Sequence, residues 1–268
     1  MTDAVYGFIG HDGDPNHGFV ITEKGVVVID NDIRFLGPFM EALRSTTPKE
    51  IKFLINTHHA FDHASANQLF AEKGVPIIAS AACREHMAAV GEEKFAEMRA
   101  REERVREGAK GIAVVLPDIT FDERLSLHLG AHLLELIFVG HCHSPGDIII
   151  YLPREKIVFV GDLLLYKCHP NVRQGNIDNW CRALELIYEL PVETIVPGHG
   201  GIIPGKEECL VVKEYFIKVR SKIEEEARRG KRVEDIKREF SLPEYGDWGK
   251  TRWLTATIEK VYREYKGG

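Results

Sequence analysis

Short apolar runs alternate with longer amphipathic segments along the first third of the chain, and this pattern indicates strands and helices in turn. Three strands are predicted first, and a tight turn over Glu23 and Lys24 joins the second strand to the third. These strands cover residues 5–9, 17–22 and 25–30. A helix over residues 35–45, a buried strand over 51–55, a helix over 64–73 and a strand over 75–79 follow.

The same alternation continues through the middle of the chain. Residues 83–108 are rich in Ala, Glu and Arg, which predicts one or two exposed helices with a solvated, charged face. Strands are predicted over residues 119–121, 125–129, 132–139, 147–152, 156–160 and 193–196, with an amphipathic helix over 177–189. Because hairpins and crossover helices alternate without a linker or repeat, we expect two sheets with helices outside them, packed as one domain over residues 1–268.

The last quarter of the chain has a helical pattern. Helices are predicted over residues 211–229, 233–240 and 251–265, and Gly230 ends the first of them. We expect a helical C-terminal extension, at about residues 206–268, that shapes a cleft or provides the contact of a homodimer.

Composition and charge limit the class of protein. With 44% apolar and 28% charged residues, the chain is typical of a soluble globular protein. A net charge of -6 argues against nucleic acid as a partner. No apolar run approaches the roughly 20 residues that cross a bilayer, and the first residues lack a secretory signal. The five scattered cysteines argue against a disulfide framework, so we expect a cytoplasmic protein with no membrane partner.

Four short segments hold histidines and aspartates directly after predicted strands. A lone histidine is more often structural than a metal ligand, but four such clusters flanked by Gly or Pro are typical of loops that aim side chains into one cleft. Imidazole and carboxylate ligands suit Zn²⁺, Fe or Mn²⁺ at a catalytic site with an open position for water. The segments are residues 57–63, 140–147, 160–163 and 196–200.

In their order and spacing, these segments resemble the motifs of the metallo-β-lactamase superfamily. The likeness extends over nearly the whole chain up to Gly201. It implies an α+β fold, a four-layer αβ/βα sandwich of two mixed β-sheets with helices on both outer faces. It also implies that one metal is bound by His58 and His143. The second metal would be bound by the remaining ligands, with Asp162 bridging the two ions; these are Asp62, His63 and His199.

One position departs from the family pattern, because Ala60 stands where the loop of the family carries its second histidine. In one interpretation the second site is intact and the first keeps only His58, His143 and the bridge. In another, His59 or His141 replaces the missing ligand. Neighbouring side chains of an extended segment point to opposite sides, so His59 should face away from the site. His141 lies two residues before His143 and would share its face if the segment stays extended, so it is the better substitute. In a third, the chain is a catalytically silent relative.

The resemblance also assigns roles near the metals. Asp62 would both bind metal and orient the nucleophile, and His169 would contact the substrate or an intermediate at the mouth of the cleft. Asp30, at the end of a buried strand, is expected to hold a loop, or a histidine that lies behind the ligands, by hydrogen bonds. Asp178 lies where a helix N-cap is expected. Trp248 and Trp253 belong to the core or to a wall of the cleft.

The predicted function is hydrolysis of a small carbonyl substrate by a metal-activated water. A bound divalent metal lowers the pKa of water from about 15.7 toward 7, so that hydroxide is available at neutral pH. The substrate would be a small-molecule ester, lactone, thioester or β-lactam-like amide. We expect Zn²⁺, one ion bound tightly and a second more loosely or absent, with Fe or Mn as alternatives. The competing functions are a mononuclear iron sulfur dioxygenase-like oxidoreductase and a catalytically weak metal-binding relative.

Overall fold

Strands from the first half of the chain form the first of two mixed sheets. The computed structural model describes residues 2–11, 13–101, 103 and 110–267. The strands of this sheet are Val5–Phe8 (β1), His17–Thr22 (β2), Gly25–Ile29 (β3), Ile51–Ile55 (β4), Ile77–Ser80 (β5) and Ile119–Phe121 (β6). They lie side by side in chain order, antiparallel from β1 to β3 and parallel from β3 to β6.

The second sheet is built from the strands that follow. They are Arg124–Leu129 (β7), His132–Gly140 (β8), Asp147–Leu152 (β9), Ile157–Phe159 (β10), Thr194–Val196 (β11) and Ile203–Pro204 (β12). Their order is β12-β11-β10-β9-β8-β7, and only the β10–β11 pair of this series is parallel. The pattern of the sequence predicts all of them except β12, which is too short to show a period.

Strand β3 is buried on both faces, which explains its uninterrupted apolar run. Val27 packs between the two sheets together with Ile150 of β9. Its neighbour Val28 points the other way and packs against Phe39 and Leu43 on the outer side of the sheet. The core between the sheets and the core outside the first sheet therefore both depend on this one strand.

Helices cover the outer faces of both sheets. They are Leu36–Thr46 (α1), Phe61–Ala64 (α2), Asn67–Ala71 (α3), Ala81–Arg101 (α4), Ile177–Glu189 (α5), Glu208–Arg228 (α6), Val233–Glu239 (α7) and Thr251–Gly267 (α8). Side chains of α1 and α3 pack on the first sheet. Side chains of α5, α6 and α8 pack on the second. The predicted four-layer α+β sandwich is confirmed.

The single helix predicted over residues 64–73 is wrong in its bounds, because two short helices stand in this region. Helix α2 begins at Phe61, inside the histidine-rich loop, and α3 follows after Ser65 and Ala66. Polar contacts interrupt the helix between them. The hydroxyl of Ser65 accepts the N–H of Ile33 at 2.9 Å, and the N–H of Ala66 donates to the side chain of Asn31 at 2.5 Å.

The structure tests only part of what was predicted for the long charged helix and for the C-terminal tail. Helix α4 is described through Arg101, and part of the range predicted up to residue 108 lies outside the described residues. Helices α6 and α8 bury Phe216 and Ile258 in the same apolar cluster as Trp180 of α5. The single-domain organisation, the homodimer and the cytoplasmic location stay predictions. No helix among the described residues has both the length and the apolar character of a membrane span.

Candidate metal centre

Asp30 organises the loop that follows β4. Its backbone is left-handed, with φ 57°, and its carboxylate is buried. One oxygen accepts the N–H of Thr57 at 2.7 Å. The other lies 2.7 Å from the hydroxyl of Thr57 and 2.8 Å from Nδ1 of His63. The expected role of Asp30 in holding a loop is confirmed, but the histidine that it contacts is the predicted ligand His63 and not one behind the ligands. Thr57, which in turn lies 3.0 Å from Nδ1 of His58, was not anticipated.

The loop between β8 and β9 is curled around the carboxylate of Asp147. This carboxylate accepts the N–H of Cys142 at 3.2 Å and the N–H of Ser144 at 2.8 Å. Between those two residues, His143 directs Nδ1 toward the carbonyl of Asn171 at 3.1 Å. The remaining nitrogen, Nε2, therefore faces Asp162 and lies 3.5 Å from its carboxylate.

Two glycines bring the last two segments close together. A Cβ at Gly161, where φ is +50°, would lie 2.6 Å from the hydroxyl of Thr57. A Cβ at Gly198 would lie 2.2 Å from Oδ1 of Asp162. Next to it, His199 places Nδ1 2.8 Å from the carbonyl of Gly13. Glycine is therefore required at Gly161 for close approach to the loop after β4, and at Gly198 for close approach of the loop after β11 to the loop after β10.

These loops bring together the six residues that the motifs single out as ligands. They form two groups, His58, His143 and Asp162, and Asp62, His63 and His199, with the ligand atoms of each group within 4.8 Å of one another. Asp162 lies between the groups. Its Oδ1 is 3.2 Å from Nε2 of His63 and 3.3 Å from Nε2 of His199. Nε2 of His199 is also 3.5 Å from Asp62.

The chemistry of these side chains fits a divalent metal. Within the described residues, Nε2 of His58 is buried without a hydrogen-bond partner. Nε2 of His63 and Oδ1 of Asp162 are buried too and lie 3.2 Å apart, but without the geometry of a hydrogen bond. Buried polar atoms are rarely left in that state, because their desolvation is uncompensated. Burial, followed by the neighbouring His63, holds the pKa of His58 well below its usual value, so this imidazole is neutral and free to bind a cation.

The carboxylates control the protonation of the other ligands. Burial works to lower the pKa of His63, but Asp162 and Asp30 outweigh it and hold this pKa well above its usual value. The pKa of His199 is also raised: burial disfavours its charged form, but Asp162 and Asp62 favour that form more strongly. Burial would raise the pKa of Asp162, yet the imidazoles around it lower this pKa far more. A metal entering the site would therefore displace protons from histidines.

Neither proposed substitute for the ligand missing at Ala60 belongs to the two groups. His59 packs its ring against His86, with ring centroids 4.3 Å apart, and burial followed by His86 lowers its pKa to about 3. His141 is half-buried and bonds to the carbonyl of Gln174 instead. The prediction that His141 shares a face with His143 is wrong, because the segment after β8 curls and does not stay extended.

His169 lies in a separate cluster of aromatic rings. It is buried, its Nδ1 is 3.0 Å from the hydroxyl of Tyr215, and its ring centroid is 5.8 Å from that of Trp248. It is not part of either ligand group, and its contact with substrate stays a prediction. The expected cap is wrong: Asn176, not Asp178, caps α5. Asp178 falls in the first turn.

Comparisons of sequence agree with this geometry. A sequence model described as the Metallo-beta-lactamase superfamily matches residues 12–199. A metallo-beta-lactamase type 2 from Bacillus cereus is 23% identical over 204 residues, which are 73% of this chain and 71% of that protein. A metallo-beta-lactamase type 2 from Bacteroides fragilis is 29% identical over 99 residues, 34% of this chain and 39% of its own.

Solved structures show the same fold at low identity. A metallo-beta-lactamase from Pontibacter korlensis superposes with a TM-score of 0.65 at 20% identity, covering 81% of this chain and 96% of its own. The stereoselective inverting sec-alkylsulfatase from Pseudomonas sp. superposes with a TM-score of 0.75 at 17% identity. That match covers 100% of this chain and 50% of the sulfatase, so it extends through α6 to α8.

Proposed function

The chain belongs to the metallo-β-lactamase superfamily, and from this premise we propose that it is a zinc-dependent hydrolase of a small carbonyl substrate. Members of this superfamily are usually metal-dependent hydrolases. The substrate is an ester, a lactone, a thioester or a β-lactam-like amide. The observation that carries the proposal is the sharing of Asp162 between two groups of ligand atoms.

The two carboxylates of the centre are suited to different tasks. The side chain of Asp62 is 28% exposed, whereas that of Asp162 is only 7% exposed. A divalent ion held by these residues would lower the pKa of a water from about 15.7 toward 7 and polarise the carbonyl of the substrate. Asp62, which reaches the solvent, would orient that water and accept its proton. Asp162 would keep the two groups together.

His169 is proposed to contact the substrate on the side of the centre formed by the loop after Asp162. Burial lowers the pKa of His169, so it is a neutral hydrogen-bonding group near neutral pH. The hydroxyl of Tyr215 fixes the orientation of its ring. A neutral, oriented imidazole is suited to bind a polar substrate atom.

We propose one tightly bound ion at the group of Asp62, His63 and His199, which has its full set of side chains. The other group lacks an imidazole at Ala60 and would bind a second ion more loosely. Ala60 caps the short helix α2 in an extended conformation, with φ -60° and ψ 150°. A longer side chain at position 60, such as the histidine of Ala60→His, would therefore extend from the same loop that carries Asp62 and His63.

The test is metal content and hydrolysis, measured on the same preparations of wild type, Ala60→His and His199→Ala. We expect Ala60→His to raise occupancy of the second ion, and His199→Ala to lose the tight ion and about a hundredfold or more in activity toward a panel of esters, lactones, thioesters and β-lactams. His132→Ala, at a histidine paired with Glu155 outside the centre, is the matched control.

Some outcomes would replace this proposal. Protein that binds no transition metal under any loading condition, or hydrolysis that resists chelation, would contradict it. Protein that retains iron and consumes O₂ with a persulfide would show the sulfur dioxygenase-like function instead. Metal binding with no turnover of any substrate would identify a catalytically weak relative.

A sulfate ester is a second candidate substrate. The structural match to the sec-alkylsulfatase covers 100% of this chain, including the C-terminal helices, whereas the match to the Pontibacter korlensis enzyme covers 81%. We therefore include secondary alkyl sulfates in the substrate panel. Release of inorganic sulfate at a higher rate than hydrolysis of the carbonyl substrates would favour this alternative.

A further inference from the structure

The segment that leads into α8 lies beside the metal centre, although it follows the family-matched region by about 50 residues. Gly249 forms a parallel bridge with Cys168, on the loop after Asp162. The N–H of Gly249 donates to the carbonyl of Lys167 at 2.8 Å, and its carbonyl accepts the N–H of His169 at 3.0 Å. The segment is therefore fixed to a loop of the centre by its backbone.

Lys250, the next residue, extends from this segment toward the ligand His199. Its backbone is left-handed, with φ 60°. Its side chain crosses directly over Gly13: a Cβ built there would lie 2.7 Å from Cε and 2.9 Å from Nζ of Lys250. The carbonyl of Gly13 is the one that His199 Nδ1 contacts at 2.8 Å. One glycine thus separates the ammonium from a predicted metal ligand.

Trp253 completes this side of the centre. The ammonium of Lys250 lies 5.4 Å from the centroid of the Trp253 ring, which is a cation–π contact. The same ring packs edge-on toward His199, with centroids 6.4 Å apart. Lys250 is half-buried, and its ammonium lies against an aromatic face and a glycine, next to a predicted ligand.

Within the described residues, no carboxylate lies within ion-pair distance of Lys250. Lys167, on the adjoining loop, differs in this respect because it pairs with Asp247 at 2.9 Å. The charge of Lys250 also acts on Cys168 of the adjoining loop. Burial raises the pKa of the Cys168 thiol, Lys250 opposes this rise and Asp162 adds to it, so both charges act on one side chain.

We propose that Lys250, supported by Trp253, binds an anionic group of the substrate, a carboxylate or a sulfate, next to the bond that is hydrolysed. The inference rests on the proposed hydrolytic function and specifies its substrate class. A lysine ammonium is a compact, mobile point charge that binds oxyanions through charge-assisted hydrogen bonds. Neutral substrates would lack this contact and bind less tightly.

The test compares two para-nitrophenyl esters of similar size, the monoester of succinate, which is anionic, and the butyrate ester, which is neutral. In Lys250→Met, which keeps a stem over Gly13, we expect kcat/KM for the anionic ester to fall about tenfold to a hundredfold, mainly through KM. The neutral ester should be hydrolysed at nearly the wild-type rate. Lys250→Arg should recover most of the preference for the anion.

Arg252→Gln is the matched control, because its guanidinium also lies over the Trp253 ring, 5.7 Å from the centroid. It removes the same charge two residues away and should leave the anionic preference intact. An equal loss with both variants would reveal an effect of net charge alone and overturn the proposal. Equal losses for both esters in Lys250→Met would show a purely structural role and overturn it as well.

A binding measurement separates this proposal from the hydrolytic one. One ligand is the carboxylate anion of (4-nitrophenyl)acetic acid, and the other is its neutral amide, 2-(4-nitrophenyl)acetamide. Calorimetric titration with these two ligands needs no turnover and can be done with metal-loaded and metal-free protein. If the wild type hydrolyses no member of the substrate panel but binds the anion more tightly than the amide, and Lys250→Met loses that difference, the anion site stands and the hydrolase proposal fails. If the wild type binds both equally, the anion site is refuted whatever the activity.

Discussion

At the scale of single residues, Asp30 links the sheet to the centre. Its carboxylate receives two hydrogen bonds from Thr57 and contacts His63, all at 2.7 to 2.8 Å. A carboxylate behind a ligand histidine fixes the orientation of the ring and raises its basicity. Asp32, two residues on, is also buried but pairs with Arg34. Two neighbouring carboxylates thus have different tasks, one toward the centre and one toward the loop before α1.

Asp32 gives the protein a pH-dependent stability term. Burial raises its pKa to about 6, although Arg34 works against the rise. Between about pH 4 and pH 6 the folded protein keeps a proton that the unfolded chain has lost, so the contribution of this group to stability declines as pH rises through that interval. We expect the free energy of unfolding of wild type minus that of Asp32→Asn to fall by about 3 kcal/mol from about pH 4 to pH 7.

Urea unfolding of the metal-free proteins at several pH values measures this difference, and Asp122→Asn in an exposed turn serves as the control. A difference that stays flat, or that rises with pH, would show that Asp32 is not the proton-binding group assigned here.

At the scale of elements, regular strands were predictable and the loops between them were only partly so. The apolar run of β3 is fully buried, and its pattern alone gives the correct element. The single helix predicted over residues 64–73 failed because Ser65 and Ala66 bond to a distant loop, which no local pattern reveals. His141 was misplaced for a similar reason. Gly140 adopts φ +87° and the chain turns around Asp147. His141 and His143 are two residues apart, but they therefore do not lie on the same face of an extended segment.

The motifs predicted which residues converge but not how they are held. The six residues that form the two groups could be named from their order after strands. Apart from Asp30, the groups behind them could not be named, because the carbonyls of Gly13 and Asn171 are backbone atoms that any residue type would offer. The contact of Lys250 with Gly13 likewise joins segments far apart in the chain.

Gly198 gives an element-scale prediction for the turn after β11. A Cβ at this position would lie 2.2 Å from Oδ1 of Asp162 and 2.7 Å from the backbone carbonyl carbon of Gly161, so Gly198→Ala must displace that carboxylate together with the loop that carries it. We expect metal affinity to fall about tenfold or more with little change in secondary structure. Gly201→Ala is the control in the same turn, since its Cβ would meet only Tyr166 at 3.9 Å. Competition with a chromophoric chelator measures the affinity, and equal affinities in the two variants would contradict the predicted position of Asp162.

At the scale of the whole molecule, each ligand group draws on both sheets. His58 comes from the loop after β4, in the first sheet, and meets His143 and Asp162 from the second. Asp62 and His63 come from the first sheet and meet His199 from the second. A metal bound by either group would therefore connect the two halves of the sandwich.

Metal binding should stabilise the whole fold and not only the loops. At a free metal concentration about one hundred times Kd, binding to the folded state alone adds about 2.7 kcal/mol to the free energy of unfolding. We expect zinc to raise the midpoint of thermal unfolding in a single cooperative transition, and chelation to reverse the rise. The same shift in His199→Ala would show that the ion binds elsewhere.

The turn between β6 and β7 separates the strands of one sheet from those of the other. A chain cut there would leave one fragment with His58, Asp62 and His63, and the other with His143, Asp162 and His199. Neither fragment would hold a complete set of donors. Reassembly of the pair would thus depend on the ion, and the protein could serve as a metal-gated complementation reporter.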